Sequence, residues 1–351
     1  MIKRFSLISF IAIALGMGSC ETEFSLNGDY ELIPVVFGLL DQNDSIHVVK
    51  ITKAFLGDGD NLVYAQNPDS SYFDQVAATV TEIDFEGDET GRVWDLADSI
   101  VTGKSTDGIF YAPDQKVYYF EANDLNSKFT YRLDADLNEG AHQFAAETSL
   151  IEGFGVPTSL SFPSFKIRFA KNTVNEEKDY LSWVFDLTDG LKNVGELEIG
   201  YTFNWTEYYL DGSTQSFSQK KFEYSEEDVD RAIRISGLSF YNFISETIPD
   251  DLDNINYRKV DGIDLHISLA HPNLTQYMNV AEPVTGIAQV QPVFTNVEGG
   301  YGLFSSRYLF TLEGLVLDEA SIKELATGTR TATKQFCSDY MLHNGEVFDC
   351  P

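Results

Sequence analysis

The apolar residues of this chain fall mainly at every second position. Phe165, Ile167 and Phe169 alternate with Lys166 and Arg168, and Leu181, Trp183, Phe185 and Leu187 repeat the rhythm. The clearest run is Leu197, Ile199, Tyr201, Phe203 and Trp205, interleaved with Glu198, Gly200, Thr202, Asn204 and Thr206. Period-two alternation gives a strand one dry and one wet face, as in antiparallel sheets covered on one side. Asp211-Gly212 supplies a turn at the end of that run, because both residues tolerate positive φ. Ile263, Leu265, Ile267 and Leu269 predict another strand, and Tyr308, Phe310 and Leu312 a further one.

Helical spacing is rarer. Ser225 and Asp228 predict a capped helix running to Ile233. Leu238, Tyr241, Ile244 and Ile248 predict a second that stops at Pro249. Pro272 opens a turn carrying Leu274 and Met278, and Asp318 caps a helix through Ile322 and Leu325 that Gly328 ends. The fold class expected is all-β and mainly antiparallel, with two β-sandwich domains. Gly153-Phe154-Gly155-Val156-Pro157 marks the boundary. A first sandwich of immunoglobulin or transthyretin type is expected over residues 29–153. A larger β-rich domain with short inserted helices is expected over 158–351.

Composition supports this and removes one class of partner. A length of 351 residues suits about two domains. The 26 Phe and 18 Tyr favour sheet over helical bundle. With 55 acids against 24 bases the net charge is −31, which repels a phosphate backbone and argues against nucleic acid.

The N-terminus carries an address. Lys3 and Arg4 precede an apolar stretch from Phe5 to Leu15, and Met17-Gly18-Ser19-Cys20 closes it with small residues and a cysteine. That order is a secretory signal over residues 1–19, too short and interrupted to span a bilayer. The junction resembles a bacterial lipobox, with Met17 where leucine is commoner, which implies lipidation of Cys20 and a tether over 20–28. Cleavage there removes Lys3 and Arg4, taking the charge from −31 to −33. The acidic Glu21-Thr22-Glu23 resembles the signals that send Bacteroidota lipoproteins to the cell surface. Cys337 and Cys350 remain as an even pair, expected to form a disulfide in an oxidising compartment.

Catalytic motifs are sparse. No G-x-S-x-G or H-E-x-x-H sequence occurs. His266 is expected on the polar face of its strand, and His271, before Pro272, in a surface or capping role. Asp58, Asp60 and Asn61 form a weak calcium candidate that lacks the spaced ligands and downstream Glu of an EF-hand. Trp205, Tyr208 and Tyr209 lie near a hairpin and could meet sugar, although the alternation assigns Trp205 to the core. Gly299, Gly300, Tyr301 and Gly302 read as a structural turn or as a partner-contact loop.

Two blocks together resemble the Bacteroidota lipoprotein family carrying the domain-of-unknown-function label DUF4249. One pairs Phe129-Thr130-Tyr131-Arg132-Leu133 with Phe144-Ala145-Ala146-Glu147-Thr148; the other runs from Glu282-Pro283 through Pro292 to Phe304. Asp44-Ser45-Ile46 and Asp98-Ser99-Ile100 also match the O-glycosylation pattern of exported Bacteroidota proteins. The DUF4249 resemblance implies a non-enzymatic lipoprotein of the outer membrane, facing outward. Its implied partner is an outer-membrane β-barrel of the TonB-dependent receptor type, and its only attached group is the lipid on Cys20. The alternative is a surface glycan- or peptide-binding or adhesive module.

Overall fold

The computed structural model describes residues 32–54, 61–108, 111–112, 114–187, 190–226, 232–250, 253–281, 293–337 and 350. The fold is all-β, with few helices. Strands β1 (Pro34–Leu40), β2 (Ile46–Lys53), β3 (Val76–Ile83), β4 (Glu89–Asp95), β5 (Ala97–Val101), β6 (Gln115–Glu121), β7 (Thr130–Leu137) and β8 (His142–Ser149) occupy the first part of the chain. The rest carries β9 (Ser182–Phe185), β10 (Glu196–Tyr209), β11 (Thr214–Glu226), β12 (Ile233–Ser236), β13 (Ile255–Ala270), β14 (Val297–Glu298) and β15 (Tyr301–Leu315). The longer described helices are α1 (Gly237–Thr247), α2 (Pro272–Ala281) and α3 (Glu319–Thr327).

One sheet runs in the order β11-β10-β13-β15-β1-β2-β6-β5, and a second in the order β14-β8-β7-β3-β4. β15 is the reason the long sheet is continuous. Its residues 301–306 pair in parallel with β1, and residues 307–315 pair antiparallel with β13. The first sandwich closes over Val36, Leu40, Val49, Ile51 and Phe120 on one sheet and Val80, Leu133, Leu137 and Phe144 on the other. The second core lies under β10 and β13, covered by the β9–β12 ribbon, α1, α3 and Phe336. The two cores divide at Leu150 and Ile151, except that Val297 and Phe304 pack in the first. A single cut in the chain therefore does not separate the sandwiches, because β14 and half of β15 return to complete the first.

Several elements follow from local chemistry. α1 starts where the Ser236 hydroxyl accepts from Ser239 N–H and ends before Pro249; α3 is capped by Asp318 and followed by Gly328. Tyr209 N–H donates to Ser213 across the Asp211-Gly212 turn, where Gly212 has φ 86°. The quoted 129–133 and 144–148 segments pair as β7 and β8, with Leu133 opposite Ala146.

Two expectations need correction. The helix predicted from Ser225 to Ile233 has strand at both ends, Ser225 in β11 and Ile233 in β12; residues 227–231 lie outside the described residues. Ser225 and Tyr224 gain ladder bonds to β10, which outweigh a marginal cap. The strand predicted over Phe165–Phe169 forms only single bridges, Ile167 with Leu317 and Ala170 with Tyr180. Its alternation still buries Ile167 and Phe169 in the second core, where Phe169 stacks on Phe240 of α1.

Candidate functional site

Cys20, Asp58 and Asp60 lie outside the described residues, and Asn61 opens a short helix, Asn61–Ala65. Cys337 and Cys350 form a disulfide. Gly299 and Gly300 connect β14 to β15, Tyr301 and Gly302 open β15 with Tyr301 about half exposed, and the three glycines lie against backbone of Gln143, Pro34 and Val36. Trp205 is in the core against Phe203 and Phe217, Tyr208 stacks on Tyr257, and Tyr209 donates to Glu207. Both Asp-Ser-Ile motifs are exposed, one leading into β2 and one on β5. His266 bridges Thr202 and Thr311 on the wet face of the long sheet.

His271 is buried rather than at the surface, and it caps α2. Its Nδ1 accepts from Asn273 N–H at 3.2 Å, so the ring proton sits on Nε2, which donates to Ser149 Oγ at 3.0 Å. A base that activates a serine must present a bare nitrogen to the hydroxyl, and here the polarity is reversed. Burial pushes the His271 imidazole down to about 4. Its folded value lies below the unfolded one, so the unfolded chain alone binds this proton between about pH 6.5 and 4. Stability is lost as pH falls through that window, by about 2–3 kcal/mol in all. Urea titrations at pH 7.5 and 4.5 should show a smaller loss in His271→Gln than in the parent. Equal losses would mean that this ring is not the titrating group.

Three side chains missed at the sequence level converge in a cleft of about 350 Å³ between residues 171–180 and α3. They are Tyr180, Glu324 and Arg330. One wall is fixed by Asp179, whose carboxylate accepts from Lys171 Nζ at 2.9 Å, Asn175 N–H at 3.0 Å and Glu176 N–H at 3.1 Å. The lysine and those backbone donors hold it down to about 2. The other wall is α3 and the turn beyond it, where Thr331 Oγ1 donates to the Glu324 carbonyl. Across the floor Tyr180 OH donates to Glu324 Oε1 at 2.8 Å and accepts from Arg330 Nη1 at 3.1 Å. Arg330 also donates Nε to Asn242 Oδ1 and Nη2 to Glu177 Oε1, and lies 5.1 Å above the Tyr180 ring. Burial raises the Glu324 carboxyl and the Tyr180 phenol above their ordinary values. No spacing motif links positions 180, 324 and 330; only the tertiary fold brings them together.

Two further concavities are acid-rich. One, on the outer face of β3, β7 and β8, includes Asp134, Asp136, Glu298 and Gly299; the other, at an end of the first sandwich, includes Asp74, Asp98 and Glu139. Among the described residues no three His, Cys, Asp or Glu side chains are placed to hold a metal ion. Among them, too, no helix is long and apolar enough to cross a membrane. No protein-family model matches this chain, and no curated protein matches it in sequence.

Proposed function

We propose that this protein is a lipid-anchored accessory subunit of the outer membrane, facing outward and without catalysis of its own. Cys20 carries the lipid, and the body docks on an outer-membrane β-barrel of the TonB-dependent type. The observation that carries the docking reading is the outer face of β1 and β2. Val36, Leu40, Val49 and Ile51 point into the first core, so the intervening residues face outward. A solvated sheet face is ordinarily polar. Here Phe37, Ile46 and Val48 are exposed on it, with Tyr119 opposite Val48 and Phe37 edge-on to Tyr277 of α2 at 5.6 Å. Lys50 lies opposite Phe37 and Glu121 opposite Ile46, so charged residues interleave and rim the apolar ones, and exposed apolar groups with a polar rim mark an interaction surface. The lipobox and the DUF4249 resemblance supply the membrane and the class of partner.

The test is purification of the tagged mature protein from its native membranes, followed by mass spectrometry. A barrel protein should be recovered in stoichiometric amount. Val48→Lys should reduce that recovery at least tenfold while changing stability by no more than about 0.5 kcal/mol, as surface substitutions do. Recovery of the lipoprotein alone under several detergents would sink the docking reading.

A further inference from the structure

We propose that the cleft formed by Tyr180, Glu324 and Arg330 binds a neutral polyol, one or two sugar rings in size. The inference does not depend on docking to a barrel. In a chain with 55 acids and 24 bases, the other two concavities carry the expected excess of carboxylates. This cleft does not. Lys171, Lys323 and Arg330 on its lining equal Glu176, Glu177 and Glu324 in number, and the balance holds when Asp179, paired with Lys171, and Lys178, paired with Glu176, are included. A balanced lining has little long-range pull on either sign of ion, so it selects by directional hydrogen bonds.

The polar groups are planar, opposed and held before any ligand arrives. Arg330 spends three of its five N–H groups on Asn242, Tyr180 and Glu177, which locks the guanidinium plane and leaves two donors. Glu324 accepts from Tyr180 through Oε1 only, leaving Oε2 as an acceptor. Each hydroxyl of a sugar both donates and accepts, so neighbouring hydroxyls can meet a fixed carboxylate and a fixed guanidinium together. An ammonium would find no acceptor excess and a carboxylate no donor excess. The volume, about 350 Å³, lies at the lower end of small-ligand sites. Arg330 covers one face of Tyr180, so recognition rests on hydrogen bonds rather than ring stacking, and affinities on the order of millimolar are expected.

Saturation-transfer NMR on the intact mature protein tests this with defined probes: methyl glucoside, galactoside, mannoside and N-acetylglucosaminide, then maltose and cellobiose. At least one should give saturable transfer that falls fivefold or more in Arg330→Met and in Glu324→Gln. Gln143→Ala, in a different concavity, should leave it unchanged. The two cleft variants are independent, so failure of one to fold leaves the other to decide. Absence of transfer from every probe would overturn the proposal, as would transfer that persists in the cleft variants. Competition by sodium acetate or by butylamine would instead make this an ion site and overturn the polyol class.

Discussion

Replacing Arg258 by leucine is expected to destabilise the fold by about 3–5 kcal/mol, the cost of leaving a buried charge without its partner. Arg258 is fully buried, and its Nε lies 2.7 Å from Glu207 Oε1. Its other nitrogens donate to the carbonyls of Lys334 at 2.8 Å and Pro249 at 3.0 Å. Glu207, also buried, accepts from Trp205 Nε1 at 3.3 Å and Tyr209 OH at 2.8 Å. Leucine removes the cation and strands the carboxylate, and it frees two carbonyls that end the helix-covered side of the second core. The backbone at the same position pairs with the C-terminal segment, through Arg258 N–H to Gln335 and Cys337 N–H to Arg258. The pair therefore ties down the stretch that leads into the disulfide. Denaturant titrations of Arg258→Leu, Glu207→Leu and the double variant should show two large single losses and a double loss well below their sum. A single-variant loss under 1 kcal/mol, or strict additivity, would show that the pair is not coupled as the geometry requires.

Arg258 also shows where sequence reading stops. Alternation made the 197–205 and 263–269 strands legible because each residue there has one dry and one wet neighbour direction. The same pattern gives no reason to bury an arginine at 258, which lies before the predicted strand. What buries it is register: Glu207 sits directly opposite Arg258 on β10 and β13. The Asp318 cap, the Pro249 stop and the turn opened by Pro272 were legible for a different reason, since each is a local signal within about one turn of chain, whereas the Ser236 cap was not read. The cleft was not, because Tyr180 reaches it from a loop and Glu324 and Arg330 from a helix and the turn beyond it. Taken singly, none of them stands out in the sequence: Tyr180 is a buried core aromatic, and Glu324 and Arg330 are half-buried charges. The late glycine segment falls between these cases, visible as unusual but ambiguous between turn and contact loop.

Among the described glycines, Gly302→Ala is expected to be the most damaging, with a loss above about 4 kcal/mol, the range reserved for broken backbone or core. Gly302 has φ 113°, a region that side-chain-bearing residues rarely adopt. An added Cβ would lie 2.9 Å from the Val36 carbonyl carbon and 3.0 Å from its nitrogen, and closer still to its oxygen. Those atoms belong to the parallel β1–β15 ladder, in which Val36 and Gly302 are direct partners. A rotamer change cannot relieve the clash, because the obstacle is backbone. The ladder must part, and it is the sole pairing that joins the four strands β11-β10-β13-β15 to β1-β2-β6-β5 among the described residues. The loss should then be uneven. Hydrogen exchange in Gly302→Ala should rise first in β1 and in residues 301–306, while β10 and β13 keep their protection. Gly212→Ala is the control: its φ is also positive, but nothing lies within 4 Å of the added carbon, so only the backbone strain of an exposed hairpin, about 1 kcal/mol, is expected. Equal losses in the two variants would reduce the glycine at 302 to a turn preference. A loss confined to Gly302→Ala would make it the point at which the late segment is sewn into the first sandwich.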